Sequence, residues 1–136
     1  MIERSNPDVG YIAEDVFKTF SFTQTIKAGN TLYLSGVAPL KGGLANLEIV
    51  GEGDMRAQVE WCLEVIKRCL AVEGATFHHW VAQTVYATNL AAFVEVAADA
   101  FGKFFGQSTP TSTVVEVKAL FDPRQMVEIT GIAVLE

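Results

Sequence analysis

The chain has 136 residues, half of them apolar and 19% charged, the size and composition of one globular domain with a core of its own. Sixteen acidic against ten basic side chains leave a net charge of −6 with no Lys/Arg cluster to offset it, which argues against a nucleic-acid ligand. No apolar run is long enough to span a bilayer, and the start, "MIERSNPDVGYIAEDVF", has the form of neither a signal nor a transit peptide, so the expected compartment is the cytoplasm.

Along the chain, residues 1–17 read as an irregular segment broken by Pro7 and Gly10. "TFSFTQTIKAGNTLYLSG" then predicts a hairpin: Phe20, Phe22 and Thr25–Ile26 in one strand, Leu32–Ser35 in the next, and a turn at Gly29-Asn30. A glycine-rich loop follows, with a short edge strand at Leu47–Val50. It lacks the spacing of a phosphate-binding loop. From Asp54 to Glu73 the period becomes helical: Val59, Cys62, Leu63, Ile66 and Leu70 form one stripe, Asp54 is the N-cap and Gly74 the terminator. Val81–Ala87 is a strand. Asn89 caps a second helix, Ala91–Phe105, whose phenylalanines read as packing against the sheet. The strand around Ser112 follows, then the loop "LFDPRQM" and a last strand, Val127–Leu135.

This order, with two helices against one face of a mixed sheet, predicts a single α+β domain over residues 1–136. A sheet covered on one side must do something with the other. That uncovered face includes Ser112 and Val114 or their neighbours, and the positive mean hydropathy of +0.28 favours closing it against other copies of the chain.

In "TPTSTVVEVKAL", strand alternation puts Ser112, Val114 and Glu116 on one side and Thr113, Val115 and Val117 on the other. Glu116 and Glu128 lie in the last two strands on faces that could meet, and paired carboxylates can share acid–base work. The bland reading is two surface acids. Cys62 and Cys69 are seven apart, about 10 Å along a helix, too far for a disulfide, and read as small core hydrophobes. His78-His79 has no acid or cysteine at ligand spacing, so it reads as loop packing and no metal is expected. Arg124 is the one cation placed to reach a cleft beside the last strand; otherwise it is a solvated loop charge.

"SFTQTIKAGNTLYLSG", "QVEWCLEVIKRCLAVEGATFHHWVAQTVYATNLAAF" and "PTSTVVEVKALFDPRQMVEITGIAV", in order from Phe20 to Val134, resemble the Rid (YjgF) family of small-molecule deaminases. The resemblance implies a chorismate-mutase-like fold and a homotrimer with binding clefts between subunits. It also implies hydrolysis of reactive enamines and imines, such as 2-aminoacrylate, to ketoacids and ammonia, without a cofactor. Where the family pattern reads "PARS", this chain reads "PTST". Ser112 stands at the arginine that grips the substrate carboxylate, and a neutral hydroxyl cannot make that bidentate pair. Phe22 stands at the family's tyrosine, and Thr130 at the glutamate that orients water, as the resemblance aligns them. Ser35-Gly36 keeps the backbone that contacts ligand in relatives. The two acids, Glu116 and Glu128, occupy positions commonly acidic in the family without a settled role.

Two expectations follow. One is a diverged enzyme acting on a small imine, enamine or related carbonyl compound. Ser112 and Thr130 would hold the water, with Phe22, Ser35, Gly36, Val114 and Arg124 around the substrate. The other is a non-catalytic trimer that binds a small ligand. A nuclease role, sometimes attached to such proteins by name, fits neither the charge nor the side chains.

Overall fold

The computed structural model describes residues 1–136. Eight strands and three helices follow in the order β1 (Ile2–Ser5), α1 (Glu14–Phe20), β2 (Thr25–Ala28), β3 (Thr31–Val37), β4 (Leu40–Lys41), β5 (Glu48–Ile49), α2 (Met55–Val72), β6 (Trp80–Ala87), α3 (Leu90–Phe105), β7 (Thr111–Glu116) and β8 (Val127–Val134). Six strands form one sheet in the spatial order β1-β2-β3-β8-β6-β7. Only β6 and β7 run parallel, and α3 is the crossover between them. The mixed α+β architecture is the expected one. No helix is long and apolar enough to cross a membrane.

The first seventeen residues differ from expectation. β1 pairs antiparallel with β2, from Ile2↔Ala28 to Ser5↔Thr25, so this stretch is an edge strand. Its four side chains are all exposed, and without an alternation of burial only the backbone ladder defines it. α1 adds a third helix to the two expected. Phe20 ends it and Phe22 lies in the turn beyond, so the alternation read there as a strand belongs to a helix end. Seven residues are too few to display a helical period. The hairpin of β2 and β3 does turn at Gly29-Asn30, and the edge strand foreseen at Leu47–Val50 shrinks to β5, paired only with β4.

The core lies between the sheet and α2. Asp54 caps this helix by accepting from the Ala57 amide at 3.1 Å, and the stripe Val59, Cys62, Leu63, Ile66 and Leu70 is fully buried. It meets Leu32, Leu34, Val127 and Ile129 of the sheet. Cutting a side chain such as Ile66 back to alanine there costs about 2–5 kcal/mol. Asn89 caps α3 through the Ala92 amide, and Phe93, Ala100 and Phe105 face inward.

Strand register decides which side of the sheet each site candidate occupies. β7 pairs with β6 as Gln83↔Ser112, Thr84↔Thr113 and Val85↔Val114. Val85 is fully buried beneath the helices, so Ser112, Val114 and Glu116 share the covered side. The uncovered face takes their neighbours, Thr111, Thr113 and Val115. It continues through Thr84, Tyr86, Glu128, Thr130, Ile132 and Tyr33. The two acids therefore do not meet: β6 separates β7 from β8, and Glu116 and Glu128 point to opposite faces. Glu116 instead accepts from the Leu90 amide at 3.0 Å, at the start of α3.

Candidate active site

The site begins with an irregularity in β3. Leu34 pairs with Gly131 and Val37 with Ile129, so Ser35 and Gly36 together face the single residue Thr130. This is a β-bulge, and it re-aims the chain that follows. The Thr130 hydroxyl donates to the Leu34 carbonyl at 2.8 Å, fixing the bulge on one side. On the other, the Ser35 hydroxyl donates to the Thr23 carbonyl, and Gln24 donates through Nε2 to the Ser35 carbonyl at 3.3 Å. The oxygen end of that buried amide, Gln24 Oε1, has no hydrogen-bond partner in the chain.

Within the bulge, Gly36 lies against Glu128. A Cβ on residue 36 would overlap the Glu128 carboxylate, with Cδ only 2.8 Å away. Glycine here makes room for the acid. The carboxylate is steadied by Gln125, whose Nε2 donates to Glu128 Oε1 at 3.1 Å.

Above this pair opens a cavity of about 350 Å³ with thirteen lining residues, ten of them hydrophobic. Phe22, Ser35, Gly36, Glu128 and Tyr11 contribute to the lining. Ile12, Val16, Leu40, Leu44 and Leu47 build the walls. Phe20 and Phe121 meet edge to face at 5.3 Å and remain about half exposed at the rim. Glu128 is the one charged residue of the lining. The Tyr11 oxygen accepts from the Ala38 amide at 2.8 Å, which ties the N-terminal loop to the end of β3. Burial, with the Glu128 charge as a smaller contributor, pushes the Tyr11 phenol far above its ordinary value, so it stays protonated.

Of the residues singled out in the sequence, Phe22, Ser35 and Gly36 come together here. Ser112, Val114, Thr130 and Arg124 do not line this cavity. Thr130 is two residues from Glu128 on the same face, one pleat away, and its hydroxyl is committed to the bulge. It lines a shallow hollow on the uncovered face with Thr84, Thr111 and Thr113. Ser112 sits on the other side of the sheet, where its Oγ accepts from Gln83 Nε2 at 3.2 Å; Gln83 Oε1 in turn accepts from the Trp80 indole at 3.1 Å. Within this chain, Ser112 and Thr130 cannot hold one water between them. Arg124 turns to Asp122, donating through Nε and Nη2 at 3.0 Å each, with Glu52 at 3.9 Å. Those hydrogen bonds hold the Asp122 carboxyl below its ordinary range.

Two residues of the site were not found from sequence. Glu128 was seen only as half of an acid pair, and its signal was the alternation of "MVEITGIAV", which places residues 128 and 130 on one face. Tyr11 had no local signal, because it reaches the site from an irregular loop. The other candidates have structural roles. His79 Nδ1 accepts from the Thr76 amide at 3.1 Å and its Nε2 lies 3.2 Å from Glu136. Cys62 and Cys69 are buried. Burial pushes the Cys62 thiol well up and the Cys69 thiol up to about 11, so both are protonated at neutral pH.

Comparison with known proteins agrees with this architecture. The chain is 38% identical over 116 residues to protein DfrA of Myxococcus xanthus, covering 85% of this chain and 84% of that protein. It is 27% identical over 112 residues to the 3-aminoacrylate deaminase RutC of Acinetobacter baylyi, covering 82% and 85%. The crystal structure of RidA from an Antarctic Psychrobacter superposes with a TM-score of 0.81 at 25% identity, over 97% of this chain and 98% of that one. Residues 15–135 match the family described as Endoribonuclease L-PSP, and the chain belongs to that family, the Rid (YjgF) proteins.

Proposed function

We propose that this chain hydrolyses a small imine or enamine, turning C=N into C=O with release of ammonia, and that Glu128 handles the protons. The observation that carries the reading is a single carboxylate in the lining of a largely apolar cavity, given room by Gly36 and steadied by Gln125. A water beside Glu128 would give it a proton as its oxygen bonds the carbon of the protonated imine, and the C=N electron pair would move to nitrogen. The carboxylic acid would then protonate that nitrogen. The C–N bond breaks and NH₃ leaves as the hydroxyl oxygen forms C=O, and the hydroxyl proton passes through Glu128 to the ammonia, which departs as NH₄⁺ and restores the carboxylate. Such acid–base work contributes about 10²–10⁴-fold to rate. A relative that carries the name of a deaminase supports the same chemistry.

A homotrimer goes with this reading. The uncovered sheet face holds Tyr33 at 48% exposure and Val115 at 38%, which a neighbouring copy would cover. Ser112, on the edge strand, would then take part only by reaching the cavity of another protomer. The test of function is ammonia release by the folded protein from freshly generated imines, with 2-aminoacrylate and the carboxylate-free benzaldimine tried side by side. Release above the spontaneous rate sustains the reading. The alternative, a non-catalytic binding trimer, is favoured by a lining that holds one charge and no cation. It predicts ligand-dependent thermal shifts without product.

A further inference from the structure

The cavity's charge and rim also bear on which imines fit it. Its lining holds ten hydrophobic residues of thirteen and one ionisable carboxylate, and no lysine or arginine. Arg124, the cation on the neighbouring loop, is bound by Asp122 at 3.0 Å and faces Glu52. Residue 112, where the family resemblance places a carboxylate-gripping arginine, is a serine already engaged by Gln83. An imino acid brought here would set its carboxylate near Glu128 in an apolar surround, with no countercharge in the lining, and like charges in such a place repel strongly. A protonated imine without a carboxylate is attracted instead. Its positive C=N end suits Glu128, and an apolar substituent suits the walls and the aromatic edges of Phe20 and Phe121.

Resting on the imine-hydrolase reading, we propose that the substrates are carboxylate-free imines bearing an alkyl or aryl group. They enter as iminium cations past the Phe20–Phe121 pair at the rim and are oriented by Glu128. The reaction balances without a further reactant: R–CH=NH₂⁺ and water give R–CHO and NH₄⁺. The class of reaction that supplies such a substrate is oxidation of a primary amine to its imine.

A matched pair of probes isolates the carboxylate. Benzaldimine is generated from benzylamine by a flavin amine oxidase, and imino(phenyl)acetate from phenylglycine by a flavin amino-acid oxidase. Semicarbazide traps whatever imine the protein has not hydrolysed. The expected result is a kcat/KM at least tenfold higher for benzaldimine. Hydrolysis of both with a smaller or reversed ratio overturns this inference and leaves imine hydrolysis standing. Failure to accelerate either, with protein shown to be folded by circular dichroism, overturns both.

Discussion

Gly36 and Glu128 occupy one volume between them: the carboxylate of the acid fills the space a side chain on residue 36 would need. The bulge in β3 creates this arrangement, because the extra residue brings Gly36 over the acid where a regular ladder would have carried a side chain past it. The position of the one charged group in the cavity is therefore set by a missing atom on the facing strand.

Substituting Gly36 by alanine should displace the carboxylate. The φ of residue 36 is not in the left-handed region, so the strain comes from overlap with Glu128 and not from the backbone. The expected outcome is a loss of at least tenfold in kcat/KM with a stability cost of about 1–3 kcal/mol, by analogy with overpacked sites. Denaturant melts and imine-hydrolysis rates on the same preparation separate the two effects. Wild-type turnover in Gly36→Ala would show that the carboxylate position does not matter.

Glu128→Gln keeps the shape and retains an acceptor for Gln125 Nε2, so the fold should hold. It removes the proton acceptor. Turnover should fall by about 10²–10⁴-fold, with the melting temperature close to wild type. A variant that turned over normally would sink the assignment of Glu128.

Thr130→Val tests the bulge rather than the chemistry. It deletes the hydroxyl that donates to the Leu34 carbonyl, at a cost of about 1–3 kcal/mol if that carbonyl is left without a partner. The fall in kcat should be far smaller than in Glu128→Gln. A fall as large as that variant's, with stability unchanged, would mean that the threonine itself meets the substrate or its water.

The two thiols should resist a disulfide exchange reagent at pH 8 in the native protein and both react once it is unfolded. Their pKa values are raised in the folded state, so unfolding releases protons at alkaline pH. The Cys69 contribution to stability is fully present below its ordinary value of 9.0 and is lost as pH rises through about 11. Cys62 acts in the same direction, and the Tyr11 phenol adds to it above 10.0. Thermal melts from pH 7 to 11 should show this decline, and a flat profile would contradict the burial of these groups.

Much of the fold was legible because burial there follows a period. The α2 stripe, its Asp54 cap, the Asn89 cap and the turn at Gly29-Asn30 each rest on a local rule. β1 and α1 escaped because one is an exposed edge strand and the other is two turns long. For the site, Phe22, Ser35 and Gly36 were readable through resemblance, whereas choosing Glu128 over Thr130 needed knowledge of the bulge. Alternation alone puts residues 128 and 130 on the same face. Only the pairing of Leu34 with Gly131 and Val37 with Ile129 shows which of them meets Gly36. The face Ser112 occupies stayed open between it and its neighbours in the sequence, since every side chain of β7 is exposed and its register comes from β6.

The chain of hydrogen bonds from Trp80 through Gln83 to Ser112 couples which side chains positions 83 and 112 can carry together. Gln83 is 5% exposed, and its Nε2 relies on the serine oxygen as acceptor. An arginine at 112 has only donors to offer, so acquiring one in a single step would strand that amide group in the interior. A lineage moving between the two residues at 112 has an easier route if position 83 first loses its amide. Positions 83 and 112 should accordingly change together among close relatives of this chain, with serine at 112 accompanied by a donor at 83.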